Sequence, residues 1–250
     1  MTGLVSFTLF GPDERDIYYK GAVQNAQQYH RLFPEYDLWF YVGKSVPTEV
    51  LHKIKSVNDR VEFDLVDEPE DQTSTWWRFR ALKHSNHDFI LFRDVDSRLC
   101  EREIVATQEW LDSRWPYHVM RDHQFHGRQL LAGLWSIKRE ALFSHRNIPD
   151  KIEGDWYGTD QVALLTWVWT ICRRQILSHI GCYHIFEKMD QRMPFRTPRT
   201  KEAPFVAQGF NGNGSIRYPE HSDRVDRDSD LIARDDIFLE EYRVPRKVST

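Results

Sequence analysis

Two aspartates, Asp94 and Asp96, close the run Asp88-Phe-Ile-Leu-Phe-Arg-Asp-Val-Asp96. In an extended chain residues i and i+2 project to the same side, so this pair can share one cation. Carboxylate oxygens suit hard ions such as Mg²⁺ and Mn²⁺, which keep coordination positions for water and phosphate groups. The apolar residues 89–92 predict a buried central strand, and ligands of open α/β sheets bind beyond the carboxyl ends of such strands. An ion held there would offset charge developing on a departing diphosphate. The plain alternative for D-x-D is a solvated turn or a helix cap, and the strand leading into it carries the functional reading.

Other residues can join this chemistry. Arg78 and Arg93 can each pair bidentately with a diphosphate, or with Asp94 or Asp96 to orient it. Trp76 and Trp77 can stack on a base or sugar, or pack in the core. Arg121, Asp122 and His123 follow a predicted strand end, which places them on the same rim as the acids, for donor-sugar or acceptor contacts. Gly133 permits close approach of a substrate to the backbone, or marks a bulge. The cluster Arg192, Arg196, Arg199 and Lys201 reads as a solvated loop, the alternative being a track for a phosphate-bearing acceptor.

The elements that must position these residues alternate between strand and helix patterns through the first 120 residues or so, as a parallel sheet with crossover helices requires. Strands are expected at 4–10, 37–42, 61–66 and 88–96. Helices are expected at 17–33, where Ala22, Ala26, Tyr29 and Phe33 share a face before Pro34, and at 47–56 and 74–84. Further on come a helix at 101–113, strands at 117–120 and 131–138, and an apolar helix at 160–171. From Pro194 the chain changes to prolines, a glycine-rich loop at 209–214 and a charged tail. The expected organisation is one domain over 1–193, with 194–250 an irregular extension packed on it.

The chain has 250 residues, and its 40% apolar and 29% charged composition is that of a globular protein. A net charge of −4, with both signs well mixed, provides no global field for a polyanion. Three cysteines without C-x-x-C spacing point to a reducing compartment and no structural zinc. No stretch approaches the roughly 20 apolar residues of a membrane span, and the first residues carry no secretion signal, so a cytoplasmic protein is expected.

The segment Phe89-Ile-Leu-Phe-Arg-Asp-Val-Asp-Ser-Arg-Leu99 resembles the D-x-D segment of GT-A fold glycosyltransferases, particularly small bacterial and phage-type enzymes. Thr75-Trp-Trp-Arg-Phe79, His118-Val-Met-Arg-Asp-His123, Leu131-Ala-Gly-Leu-Trp-Ser-Ile-Lys138 and Gly158-Thr-Asp-Gln161 are similar to further family segments, in order. The resemblance implies a Rossmann-like mixed α/β sheet flanked by helices. It also implies Mn²⁺ or Mg²⁺ and a nucleotide-sugar donor, a UDP-sugar foremost. Asp160 would then face the acceptor or the sugar hydroxyls, and would be the base if the reaction inverts, the stereochemistry being left open; its plain role is to complement a helix N-terminus. His184 would complete the metal site, with His123, His126 and His179 as competitors and a hydrogen-bonded structural role as the alternative.

The acceptor implied is a hydroxyl, either on a hydroxymethylated base of phage-type DNA or on a saccharide of surface-polysaccharide synthesis. A DNA base would have to leave the stack to reach the cleft. A phosphohydrolase of the haloacid-dehalogenase type also uses D-x-D, but on its first strand. A non-catalytic nucleic-acid-binding module is disfavoured by the charge and by the lack of any known binding motif.

Overall fold

Alternation along the strands assigns the core to two layers. On β4 (Phe89–Arg93), Ile90 and Phe92 pack with Trp76, Trp77, Phe79 and Trp135 on one face. Phe89 and Leu91 pack with Ala22, Ala26, Tyr29 and Trp110 on the other. All five β4 residues are buried, as befits a strand covered on both sides. The computed structural model describes residues 1–13, 16–154, 156–181, 186 and 188–221.

Among these residues, β1 (Gly3–Leu9), α1 (Ile17–Leu32), β2 (Asp37–Gly43), α2 (Thr48–Val57) and β3 (Val61–Val66) are followed by a 3-10 helix (Gln72–Arg80), α3 (Ala81–His84) and β4. Then come α4 (Glu101–Leu111), β5 (Tyr117–Arg121), β6 (Leu134–Lys138), α5 (Arg139–Leu142), α6 (Thr159–Leu164), α7 (Thr170–Cys172), β7 (Ile176–Ile180) and β8 (Arg192–Pro194). The sheet runs β3-β2-β1-β4-β6-β5-β7-β8. β3, β2, β1 and β4 are parallel. β6 is antiparallel to both β4 and β5, so the sheet is mixed. This is the expected α/β, GT-A-like architecture, a single sheet flanked by helices. The strand β8 lies across the expected boundary at 193/194 and pairs with β7. Among the described residues no helix is long and apolar enough to cross a membrane.

Three elements differ locally from their sequence patterns. The helix expected at 74–84 is a 3-10 helix through Arg80 before it becomes α-helical. Side chains of β1 hold its backbone: the Ser6 hydroxyl donates to the Arg78 carbonyl at 2.7 Å, and the Arg78 N–H donates to Thr8 Oγ1 at 3.1 Å. Asp71 caps it by accepting from the Thr73 N–H at 2.7 Å, while Ser74 Oγ accepts from the Asp71 N–H. The apolar helix expected at 160–171 contains a π turn at Leu165–Trp169 between α6 and α7. Gly133 stands one residue before β6, in a turn, and forms no bulge within the strand.

Candidate active site

The backbone that carries the acids turns immediately after β4. Ser97 donates to the Asp94 carbonyl through its N–H at 3.4 Å and its hydroxyl at 2.9 Å. The Asn25 amide of α1 donates to the Val95 and Ser97 carbonyls, both at 3.0 Å. α1 approaches so closely that a Cβ at Gly21 would fall 2.2 Å from the Val95 carbonyl oxygen. The extended geometry expected at 94–96 is thus replaced by a pinned turn, because these carbonyls bond to α1 and Ser97 instead of a neighbouring strand. The two carboxylates still share one neighbourhood. Burial, followed by the negative charge of Asp94, pushes Asp96 up to about 6.

Arg78 is buried and ties Asp94 to the sheet. Its guanidinium donates to Asp94 Oδ1 in a short ion pair, and also to the Arg93 carbonyl at 3.0 Å and the Thr75 carbonyl at 3.0 Å. Burial opposes the charge of Arg78, while Asp94, Asp160 and Asp96 raise its pKa. Asp160, in the first turn of α6, accepts from the Gln161 N–H at 2.8 Å and is buried. Its pKa is raised by burial and by Asp94, against the lowering effect of Arg78. Asp94, Asp96 and Asp160 therefore all lie within electrostatic reach of Arg78, where β4, the 3-10 helix and α6 converge.

Sequence reading missed Arg217, the two tyrosines beside it, and Tyr157. Arg217 donates to Asp96 Oδ2 at 2.9 Å. Its guanidinium lies 5.9 Å from the Tyr18 ring centroid and 5.1 Å from that of Tyr218. Tyr157 is largely exposed, and its hydroxyl is raised by surrounding atoms that displace water and by the charges of Asp94 and Asp96. Tyr157 was within reach of pattern reasoning, standing three residues before Asp160. Arg217 was masked by the many charges around it.

Several residues expected at the site lie elsewhere. Arg93 points into the core, where its Nε donates to Glu103 Oε1 at 2.5 Å and its Nη1 to the Phe92 and Trp135 carbonyls. The consecutive side chains of Arg93 and Asp94 diverge, so Arg93 neither faces a diphosphate nor orients the acid pair. Trp77 is buried against Phe10, with its indole N–H donating to Glu68 Oε2 at 3.2 Å, and Trp76 donates to the Pro149 carbonyl at 2.8 Å. Both are core residues in this structure.

The group at 121–123 is buried by residues 195–208. Both Asp122 oxygens accept from Arg102, at 2.8 and 2.9 Å, and further from Arg199 at 2.7 Å and the Val206 N–H at 3.0 Å. Arg121 donates to Ser178 Oγ and to the Arg128 and Gln129 carbonyls. His123 bonds the His221 carbonyl at 3.2 Å and lies against Phe205. With no solvent exposure at Arg121 or Asp122, the expectation of direct substrate contact is replaced by a structural ion-pair group. The basic cluster is likewise not wholly solvated, since Arg199 serves Asp122 and Arg196 pairs with Glu109 at 2.7 Å. Gly133 is at the site, but what approaches it is Asp94: a Cβ there would lie 2.0 Å from Asp94 Oδ2. His184 lies outside the described residues.

A cavity of about 490 Å³ lies at the amino end of β4, lined by Met1, Asp88, Phe89 and Lys138 among others. It is at the wrong edge of the sheet for the acid pair, since ligands of such sheets bind at the carboxyl ends. The acid pair does suit a hard cation: two close carboxylates, one of them destabilised as an anion by the other, are what a divalent ion relieves. Among the described residues no cluster of three or more His, Cys, Asp or Glu is placed to hold a metal ion. Water and substrate oxygens would have to complete the coordination.

Solved structures share this fold. A mannosyltransferase from Pyrobaculum calidifontis, in complex with GDP-Man and Mn²⁺, matches at TM-score 0.50 and 12% identity, over 71% of this chain and 54% of that one. TarS residues 1–349 from S. aureus match at TM-score 0.52 and 14% identity, over 74% and 59%. The chain thus covers just over half the length of both. No family model and no curated protein matches it. The motif also follows the fourth strand in chain order, not the first, which counts against the haloacid-dehalogenase reading.

Proposed function

We propose that the chain is a metal-dependent glycosyltransferase that moves a sugar from a nucleotide-diphosphate donor, a UDP-sugar foremost, to a hydroxyl acceptor. The observation that carries this reading is the placement of Asp94 and Asp96 in the turn at the carboxyl end of the central strand of a GT-A-like sheet. Asp94 and Asp96 would hold the ion, with His184 as the further candidate ligand. Bound there, Mn²⁺ or Mg²⁺ supplies electrostatic stabilisation of the departing diphosphate.

The chain's own residues have separable tasks. Arg78 fixes the Asp94 carboxylate and adds positive charge beside it. Asp160, whose proton affinity is raised by burial, is suited to accept the proton of the acceptor hydroxyl. Tyr157, outside Asp160 and exposed, offers a ring against which an acceptor sugar can lie. Residues 194–221 act as a cover that buries the ion-pair group at 121–123 and reaches Asp96. These contacts fit a segment from 194 packed on the domain of 1–193, with β8 carrying the chain across that boundary.

Titration of UDP in the presence of Mn²⁺ tests the reading. Wild-type protein should bind, and the doubly substituted Asp94→Asn, Asp96→Asn protein should not. Equal binding by the two would end the proposal. Incubation with Mn²⁺, a panel of nucleotide sugars, and either simple saccharides or hydroxymethylated DNA then identifies donor and acceptor.

A further inference from the structure

We propose that Arg217 is an internal counter-ion for the metal site: it occupies Asp96 while the ion is absent and must leave when the ion binds, so that metal and donor are taken up together. This inference rests on the reading of Asp94 and Asp96 as metal ligands, and it concerns a residue 121 positions away in sequence.

The strap that carries Arg217 is built onto the acid turn itself. The Phe210 N–H donates to the Asp96 carbonyl at 2.8 Å, and Ser97 forms a β-bridge with Gly209. The strap then doubles back. Phe210 bridges Ile216, and the Arg217 N–H donates to the Gly209 carbonyl at 2.9 Å. The tip turns at Asn211, whose N–H donates to the Ser215 carbonyl at 2.8 Å, and at Gly214, which has a φ of 84°. Gly212 lies so close to the start of α1 that a Cβ would meet the Asp16 carbonyl oxygen at 2.5 Å. The glycine-rich segment is therefore a clamp that aims Arg217 at Asp96.

The two arginines on the acid pair are held differently, and this decides which one yields. Arg78 is buried, makes two further hydrogen bonds to carbonyls and has its own backbone bonded to Ser6 and Thr8. It cannot leave without disrupting β1 and the 3-10 helix. Arg217 sits in a surface strap, with 18% of its side chain exposed, and the described partners of its guanidinium are all side chains: Asp96, the Tyr18 hydroxyl by hydrogen bond, and the Tyr218 ring. A divalent ion placed on Asp96 competes for the same oxygens and repels a guanidinium at that distance. Arg217 is therefore the one whose guanidinium can swing away by exchanging side-chain partners, with its strap still in place. A donor diphosphate offers the displaced guanidinium new oxygens, so donor binding compensates what the ion takes away. By linkage, the ion and the diphosphate then each strengthen the other's binding.

Titration of Mn²⁺ alone, followed by the electron paramagnetic resonance signal of the free ion, tests this in wild type, Arg217→Gln and Asp96→Asn, with the fold of each checked by circular dichroism. Arg217→Gln should bind Mn²⁺ about tenfold more tightly than wild type, because a competing cation has gone. The further tightening produced by UDP should be smaller in Arg217→Gln than in wild type. Equal or weaker Mn²⁺ binding by a folded Arg217→Gln overturns the inference, and if Asp96→Asn still abolishes binding the metal-site reading survives. Absence of Mn²⁺ binding in both wild type and Arg217→Gln overturns the two together. Should Arg217→Gln not fold, hydrogen exchange in wild type decides. Mn²⁺ should speed exchange of the Phe210 and Arg217 amides, and unchanged or slowed exchange means that Arg217 and the ion are held side by side.

Discussion

Gly133 and Asp94 are in such close contact that a single methyl group cannot be added between them: the Cβ of an alanine at 133 would lie 2.0 Å from Asp94 Oδ2. Because Leu134 pairs with Arg93 across β6 and β4, the two backbones are locked at this point and the clash must move the carboxylate. Gly133→Ala should therefore keep the fold and lose the site. Mn²⁺-dependent turnover is expected to fall by about 100-fold, the scale of an ångström-level misplacement. Thermal unfolding should shift by only a few degrees. An alanine variant with wild-type turnover would show that Asp94 does not need this position.

Asp160 carries a second expectation. It is buried, its pKa is raised, and it faces Arg78 and Asp94 from the first turn of α6. As the proton acceptor, its replacement in Asp160→Asn should lower kcat by about 10² to 10⁴ while UDP affinity in Mn²⁺ stays within a few-fold of wild type. If both fall together, Asp160 serves the donor side. If neither falls, it only complements the helix N-terminus.

The contrast between these acids and the group at 121–123 shows what the sequence made legible. The run 89–92, ending in Arg93, Asp94 and Asp96, announces a buried strand and acids beyond it through local pattern alone, and the alternating units before it announce parallel strands with crossover helices but not the strand order. Arg121, Asp122 and His123 have the same local signature, polar residues after a strand, yet they are buried. What separates the two cases is the segment 195–208, which covers one strand end and leaves the other accessible. No periodicity within β5 records that cover. Arg217 was hidden for the same reason, since its partner is 121 residues away. Arg93 was misread because a strand residue beside an acid need not share its direction.

Arg78 and Arg93 provide a direct test of that correction. Glu103 and Arg93 form a pair with side chains 4% and 3% exposed, far from any role in charge transfer to a ligand. Removing one partner leaves the other charged and buried, so Glu103→Gln or Arg93→Met should destabilise the fold by about 3–5 kcal/mol. Urea unfolding measures this. The surviving folded fraction of Arg93→Met should bind Mn²⁺ and UDP normally. Arg78→Met should show weakened Mn²⁺ and UDP binding as well, because its guanidinium holds Asp94. Loss of ligand binding in folded Arg93→Met would restore the phosphate-contact role.

Three of the buried histidines, His118, His145 and His179, contribute to the response of the fold to acid. His118 is held well below its usual range by burial and by its neighbour His179, with His118 Nε2 and His179 Nδ1 2.7 Å apart. His179 is lowered chiefly by burial, against the raising effect of Glu109, whose Oε2 lies 3.0 Å from its Nε2. His145, bonded to the Tyr117 hydroxyl at 2.9 Å, is pushed down by burial to about 4. In each case the unfolded chain takes up a proton near pH 6.5 while the folded chain resists. Stability is therefore fully present above about pH 6.5 and declines as pH falls toward the folded pKa values. For His145 that window runs from about 6.5 down to 4, and the loss at pH 5 is about 2 kcal/mol. Urea unfolding at pH 7 and pH 5 should show a clear drop in the midpoint for wild type. His145→Gln should be less stable at pH 7 through loss of the Tyr117 contact, but its further drop between pH 7 and 5 should be smaller by about 2 kcal/mol. An unchanged drop in that variant would mean that His145 is already protonated, or already exposed, in the folded protein at pH 5.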